Sequence, residues 1–257
     1  MSVTKTPEQV EMLRRAGRLL SECLDILVAN TLPGKTAAEI DRLAEEFIRD
    51  HGATPAFKGY GPTKAPFPAS ICFSPNQVIV HGVPTETYVV QEGDMITIDS
   101  GLSLDGWFAD AARLFGVGPI SGEDARMITH TEEALNAGIA ACVVGNRLGD
   151  VCNAIQRSIV RSPFFNVTAF CGHAIGREMH ESPQVPNFGR PDTGILLEPG
   201  MVFCIEPMLR KNRETGLGVL QDSWTIVTDD GTRATHIEHM VLITDDQPEI
   251  LSASLRS

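Results

Sequence analysis

Met95-Ile96-Thr97-Ile98-Asp99-Ser100, followed beyond Asp105-Gly106 by Trp107-Phe108-Ala109-Asp110-Ala111-Ala112, decides how this chain is read. Both segments are apolar and rich in β-branched or aromatic residues, and the Asp-Gly pair between them marks a turn. Two strands that should be buried therefore each carry an aspartate, eleven residues apart. An ionised carboxylate in an apolar interior is costly unless it is paired or bound to a cation. The same conflict recurs further along the chain. Glu206 follows Met201-Val202-Phe203-Cys204-Ile205, and Glu238 precedes His239-Met240-Val241-Leu242-Ile243.

These four segments hold few basic residues to balance the acids. Divalent metal ions are the economical answer, because carboxylates that bridge two ions neutralise both partners. His173 stands in Cys171-Gly172-His173-Ala174-Ile175-Gly176, where the flanking glycines allow a close backbone approach. A neutral imidazole is a common nitrogen ligand. His180 comes seven residues later, and His81 lies in Val80-His81-Gly82-Val83-Pro84. Taken singly, such an Asp or Glu is usually a surface group and such a His an ordinary hydrogen-bonding residue. Four acids and a histidine in apolar strand contexts shift the reading towards a metal centre.

Around this core the chain shows its elements in a repeated order. Thr6-Pro7-Glu8-Gln9 and Thr36-Ala37-Ala38-Glu39 are helix starts with capping-box spacing. Leu32-Pro33-Gly34 and His51-Gly52 are the matching stops. Residues 53–70, rich in Pro, Gly and Lys, read as a long loop, and strands are expected at 71–73, 78–80, 95–100 and 107–115. Ser121-Gly122-Glu123-Asp124 then opens a helix to about residue 143, and a second helix follows over 148–161. Further strands are expected at 166–170, 201–206, 219–227 and 235–243. Gly34 to Ile40 faintly resembles Gly145 to Val151, displaced by 111 residues. The expectation is an α+β fold in one domain, residues 1–257, made of two similar halves (about 1–118 and 119–257) that share one sheet.

Composition narrows the function. With 21 basic and 33 acidic residues the formal charge is −12, and no Lys/Arg cluster interrupts it. That counts against nucleic acid and anionic membranes as partners. No run of about 18 apolar residues suggests a membrane helix. The amino terminus lacks an apolar signal core, so a cytoplasmic location is expected. The six cysteines form no CxxC pair and are expected to be free. His236-Ile237-Glu238-His239 is not a zincin HExxH, Gly216-Leu217-Gly218 is not a dinucleotide fingerprint, and no GxSxG elbow exists.

Taken together and in order, these pieces resemble the pita-bread metallopeptidases, and most closely the type I methionine aminopeptidases. The likeness runs from Phe67-Pro68-Ala69-Ser70-Ile71-Cys72 to Glu238-His239 and includes Pro199-Gly200-Met201 and Ile205-Glu206-Pro207-Met208. It implies a curved antiparallel sheet flanked by helices, with internal pseudo-twofold symmetry. It implies two divalent ions, Fe(II), Mn(II), Co(II) or Zn(II), held by Asp99, Asp110, His173, Glu206 and Glu238. Asp110 and Glu238 would bridge them. It further implies catalytic roles for His81, His180 and Glu206, and substrate contacts from His81, His180, Phe67, Cys72, Met179 and Trp224. The substrate would be a peptide or nascent-chain N-terminus carrying methionine. A monomer in transient contact with the ribosome is expected, with no nucleic acid or membrane partner.

Length favours this branch. Only 25 residues separate His180 from Glu206, and 31 separate Glu206 from Glu238, too few for the inserted subdomain of type II relatives. The chain also departs from the type I pattern. Met179 replaces an aromatic residue, Ala174 a glycine, Ala111 a threonine, and His236-Ile237 a glutamine-aromatic pair. The 59–66 loop is altered, with Lys64 where a pocket tyrosine is expected. These departures keep two further readings open: a related peptidase of altered, Xaa-Pro type specificity, and a diverged, weakly active paralogue.

Overall fold

The computed structural model describes residues 3–255. Helix α1 spans Pro7–Asn30 and α2 spans Ala37–Asp50, each opened by the expected capping box at Thr6 and Thr36. Strands β1 (Thr54–Pro55), β2 (Ile71–Pro75), β3 (Val78–Val80), β4 (Met95–Leu104) and β5 (Trp107–Gly116) complete the first half. Helices α3 (Gly122–Ala140) and α4 (Leu148–Val160) begin the second. They are followed by β6 (Phe165–Asn166), β7 (Cys171–Ala174), β8 (Glu181–Pro186), β9 (Val202–Ile205) and β10 (Met208–Arg210). The last strands are β11 (Leu217–Val219), β12 (Ile226–Thr228), β13 (Ala234–His236), β14 (His239–Leu242) and β15 (Glu249–Ile250).

The β4–β5 hairpin turns at Asp105 (φ 52°) and Gly106 (φ 75°). Two consecutive positive φ values match the right-handed twist of the flanking strands, which is why an Asp-Gly pair closes this turn. Register then sets Asp110 opposite Gly101, and Asp99 opposite Ala112 on one side and Cys72 of β2 on the other. Leu13, Leu20, Leu24 and Leu27 of α1 are fully buried in one core with Ile96, Ile98 and Ala109 of the hairpin. Ile155 and Ile159 of α4 pack in a second core with Phe203 and Ile205 of β9. The two larger sheets thus each have a helical cover, the arrangement expected for helices set against an antiparallel sheet.

Several details differ from the sequence reading. The 53–70 loop contains β1, because Thr54 and Pro55 pair with Ser103 and Leu102. The third helix stops at Ala140, three residues early. The strand expected at 166–170 is only Phe165–Asn166, and pairing resumes in β7. The 219–227 stretch is a hairpin, β11 against β12, turned by Leu220 to Thr225. The 235–243 stretch breaks at Ile237-Glu238 into β13 and β14, which join different sheets. The single shared sheet is instead four hydrogen-bonded sheets among the described residues. The two larger ones meet where Ala112 and Glu238 exchange backbone hydrogen bonds, both 3.3 Å.

Candidate metal centre

That junction is where the acidic residues converge. Asp99 comes from β4, Asp110 from β5, Glu238 from the break between β13 and β14, Glu206 from the end of β9, and His173 from β7. His173 Nε2 lies 3.8 Å from Asp110 Oδ2 and 3.8 Å from Glu206 Oε1. Ligand atoms of Asp99, Asp110 and Glu238 lie within 4.8 Å of one another, and so do those of Asp110, His173 and His180. A third such group joins His173, Cys204 and Glu238. The Nδ1 of His173 is 3.1 Å from the Ala174 carbonyl. Donation there leaves the Nε2 lone pair facing the acids.

The approach of β7 to β9 requires Gly172, since a Cβ on it would lie 2.1 Å from the Cys204 carbonyl oxygen. The cysteines expected to be free are free; five are buried and Cys171 is partly exposed, and Cys72 and Cys171 both line the cavity beside the cluster.

The electrostatics match this geometry. Asp99 Oδ1, Asp110 Oδ1 and Glu238 Oε1 are buried without a hydrogen-bond partner. Burial, and then Glu206, pushes the Asp99 carboxyl up to about 7 against the pull of His236. Burial and the neighbouring acids hold Asp110 and Glu238 well above the usual carboxylate range, and burial does the same for Glu206. Burial also pushes His173 down to about 3, so the ring is a neutral donor. Unpartnered buried oxygens beside a neutral imidazole form a mixed N/O donor set that suits a divalent transition ion.

A cavity of 520 Å³ opens beside the cluster. All six expected substrate residues line it: Phe67, Cys72, His81, Met179, His180 and Trp224. Phe67, Cys72 and Met179 form an apolar patch with Phe57 and Ala69, with Trp224 packed against it. Such a pocket accommodates an unbranched apolar side chain. His81 holds a left-handed backbone (φ 57°), and its ring meets Phe170 and Trp224 edge-on at 5.5 and 6.3 Å. Burial lowers it to about 4. Strain of this kind persists where surrounding packing fixes the residue.

Lys64 is exposed and does not line the cavity; the pocket tyrosine is Tyr60. Its hydroxyl lies 2.8 Å from His180 Nδ1. The 59–66 loop closes on itself through Gly59 N–H to Phe67 O and Phe67 N–H to Tyr60 O, both 2.8 Å. Trp224 Nε1–H then donates to Ala65 O at 3.0 Å, tying the loop to the second half of the chain. Phe57, Tyr60 and Phe170 are wall residues that the sequence reading missed. His236 was noted only as a departure, although its position two residues before Glu238 was a usable signal, since alternate strand residues share a face.

The sequence profile of metallopeptidase family M24 matches residues 11–245. The chain belongs to metallopeptidase family M24. Within it, a Clostridium perfringens protein named methionine aminopeptidase is 46% identical over 98% of this chain and 99% of its own. Methionine aminopeptidase 1 of Mycobacterium tuberculosis is 44% identical over 95% of this chain and 92% of its own. The crystal structure of the Thermotoga maritima methionine aminopeptidase superposes with a TM-score of 0.92 at 37% identity, covering 97% of this chain and 98% of that one. The α+β pita-bread fold and the hydrolase class of the M24 metallopeptidases follow.

Proposed function

We propose that the protein is a methionine aminopeptidase that removes N-terminal methionine from nascent polypeptides. Two divalent ions, Fe(II), Mn(II), Co(II) or Zn(II), would be held by Asp99, Asp110, His173, Glu206 and Glu238. The observation that carries this reading is His173 Nε2, 3.8 Å from carboxylate oxygens of both Asp110 and Glu206, beside Asp99, Asp110 and Glu238, each of which buries an oxygen without a hydrogen-bond partner. When bound, such ions supply Lewis acidity that makes water a nucleophile at neutral pH.

The chain's own residues do the rest. The apolar patch of Phe67, Cys72, Met179 and Trp224 receives the methionine side chain, and the acidic cluster receives the free amino terminus. Tyr60 donates to His180 Nδ1, so His180 carries its proton on Nε2 and donates it towards the scissile carbonyl oxygen. Glu206 accepts the proton of the attacking water. His81, kept neutral by burial, hydrogen-bonds the scissile amide and assists the leaving nitrogen. The same reading has a monomer working in the cytoplasm, in transient contact with the ribosome. Among the described residues no helix is long and apolar enough to cross a membrane.

The test is release of free methionine from Met-Ala-Ser by metal-stripped protein, with Mn(II), Co(II) or Fe(II) returned singly. Leu-Ala-Ser and Ala-Pro-Ala run in parallel. Metal-dependent release of methionine alone is expected. Turnover of Ala-Pro-Ala instead would establish the Xaa-Pro type reading, and silence on all three would overturn the assigned substrate.

A further inference from the structure

His236 closes β13 with a side chain only 3% exposed, and its Nε2 has no hydrogen-bond partner. That nitrogen lies 3.6 Å from Glu206 Oε2. The backbone is pinned on two sides. The His236 carbonyl accepts from Thr97 Oγ1 at 2.7 Å, and His236 is in register with Met208 of β10. Glu206 therefore has an imidazole nitrogen on each oxygen, His173 Nε2 by Oε1 and His236 Nε2 by Oε2.

The two nitrogens differ in their state. His173 uses Nδ1 on the Ala174 carbonyl, which leaves Nε2 as a lone pair. With Glu206 ionised, as metal ligation would require, an Nε2 lone pair on His236 would face its lone pairs with no donor between them. An Nε2–H there satisfies a buried donor and a buried acceptor together, where leaving either unmade is expensive. At 3.6 Å the two atoms are too far apart for a hydrogen bond, so the donation needs them to close by about half an ångström.

We propose that His236 is a positioning residue of the metal centre: its Nε2–H donates to Glu206 Oε2 and so turns Oε1 towards His173 and the bound ions. This inference rests on the metal-centre reading above. It also makes the departure from glutamine at this position a conservative one, because a glutamine amide would present the same N–H from a side chain of similar reach.

The test uses the full chain, stripped of metal. The parent, His236→Leu and His236→Gln are titrated with Mn(II) by calorimetry, and the visible spectrum of each Co(II)-loaded protein is recorded. Loss of an outer hydrogen-bond partner typically weakens metal binding roughly 10- to 100-fold, and that is the expectation for His236→Leu, with altered Co(II) bands. His236→Gln should restore affinity and spectrum, with unchanged stoichiometry in both variants. Should His236→Leu not fold, His236→Asn replaces it, since its shorter amide cannot reach Glu206. A Leu or Asn variant that titrates like the parent overturns the inference. So does a Gln variant that loses one equivalent of metal, because the imidazole would then be a ligand. A parent that binds no Mn(II) or Co(II) instead overturns the metal-centre reading itself.

Discussion

Tyr60 Oη and His180 Nδ1 lie 2.8 Å apart, joined across 120 positions of chain. With the phenol as donor, the tautomer that the proposed mechanism uses, the imidazole accepts at Nδ1 and presents Nε2–H to the cavity. His180 also stacks obliquely on His173, ring centroids 4.3 Å apart, so Tyr60 fixes a donor directly beside the acidic cluster. Tyr60→Phe should lower kcat for Met-Ala-Ser by about 10-fold, less than the 10²–10⁴-fold carried by a proton-transfer group, because His180 remains in place. Metal content, read by elemental analysis, should not change. An unaltered kcat would show that His180 needs no such partner.

His173→Ala removes the nitrogen that faces both Asp110 and Glu206. The variant should lose metal-dependent turnover of Met-Ala-Ser and bind less Mn(II) at equilibrium. The thermal stabilisation that Mn(II) gives the parent, a mass-action effect, should shrink with it. Full activity and full metal content in the variant would sink the role assigned to His173.

Gly172→Ala tests the close approach that seats His173. The added Cβ would lie 2.1 Å from the Cys204 carbonyl oxygen, so β7 and β9 must part. Overpacking of this kind costs about 1–3 kcal/mol. Urea unfolding of the metal-stripped variant should show that loss. Mn(II) affinity should fall as well, since the strand that moves carries His173.

His81 sets a pH dependence in the metal-stripped protein. Its ordinary value of 6.5 falls to about 4 in the folded chain, chiefly through burial and then through His236 and His180. Between those values the unfolded chain binds a proton that the folded chain does not. The contribution of His81 is therefore complete above about pH 6.5 and is lost as pH falls through about 4. The loss reaches at most about 3 kcal/mol. Urea unfolding of parent and His81→Asn at intervals from pH 4 to 7 isolates this term, because Asn also tolerates positive φ. The parent should lose more stability than the variant on acidification; parallel curves would count against a buried, neutral His81.

Much of this architecture was legible in local sequence. The Thr6 and Thr36 capping boxes mark helices whose first turns can be satisfied within four residues. Asp105-Gly106 marks a hairpin because its turn needs two positive φ values that glycine and aspartate supply cheaply. Where the reading failed, the cause was pairing at a distance. Thr54-Pro55 becomes a strand only because Ser103 and Leu102 offer a ladder. The 219–227 stretch folds back because Ile226 and Val227 pair with Val80 and Val78 of the other half.

The acids announced themselves by contradiction: Asp99, Asp110, Glu206 and Glu238 stand in segments too apolar to carry charge without compensation. The sequence by itself thus determined the helices, the central hairpin and the need for cations, since each follows from the local preferences of neighbouring residues. Only the tertiary structure decided which groups face one another. It replaced Lys64 with Tyr60 beside His180, fastened the 59–66 loop to Trp224, and turned His236 towards Glu206. Those contacts join residues that covalent geometry leaves free to be anywhere, and the packing of two curved sheets at Ala112 and Glu238 fixes them.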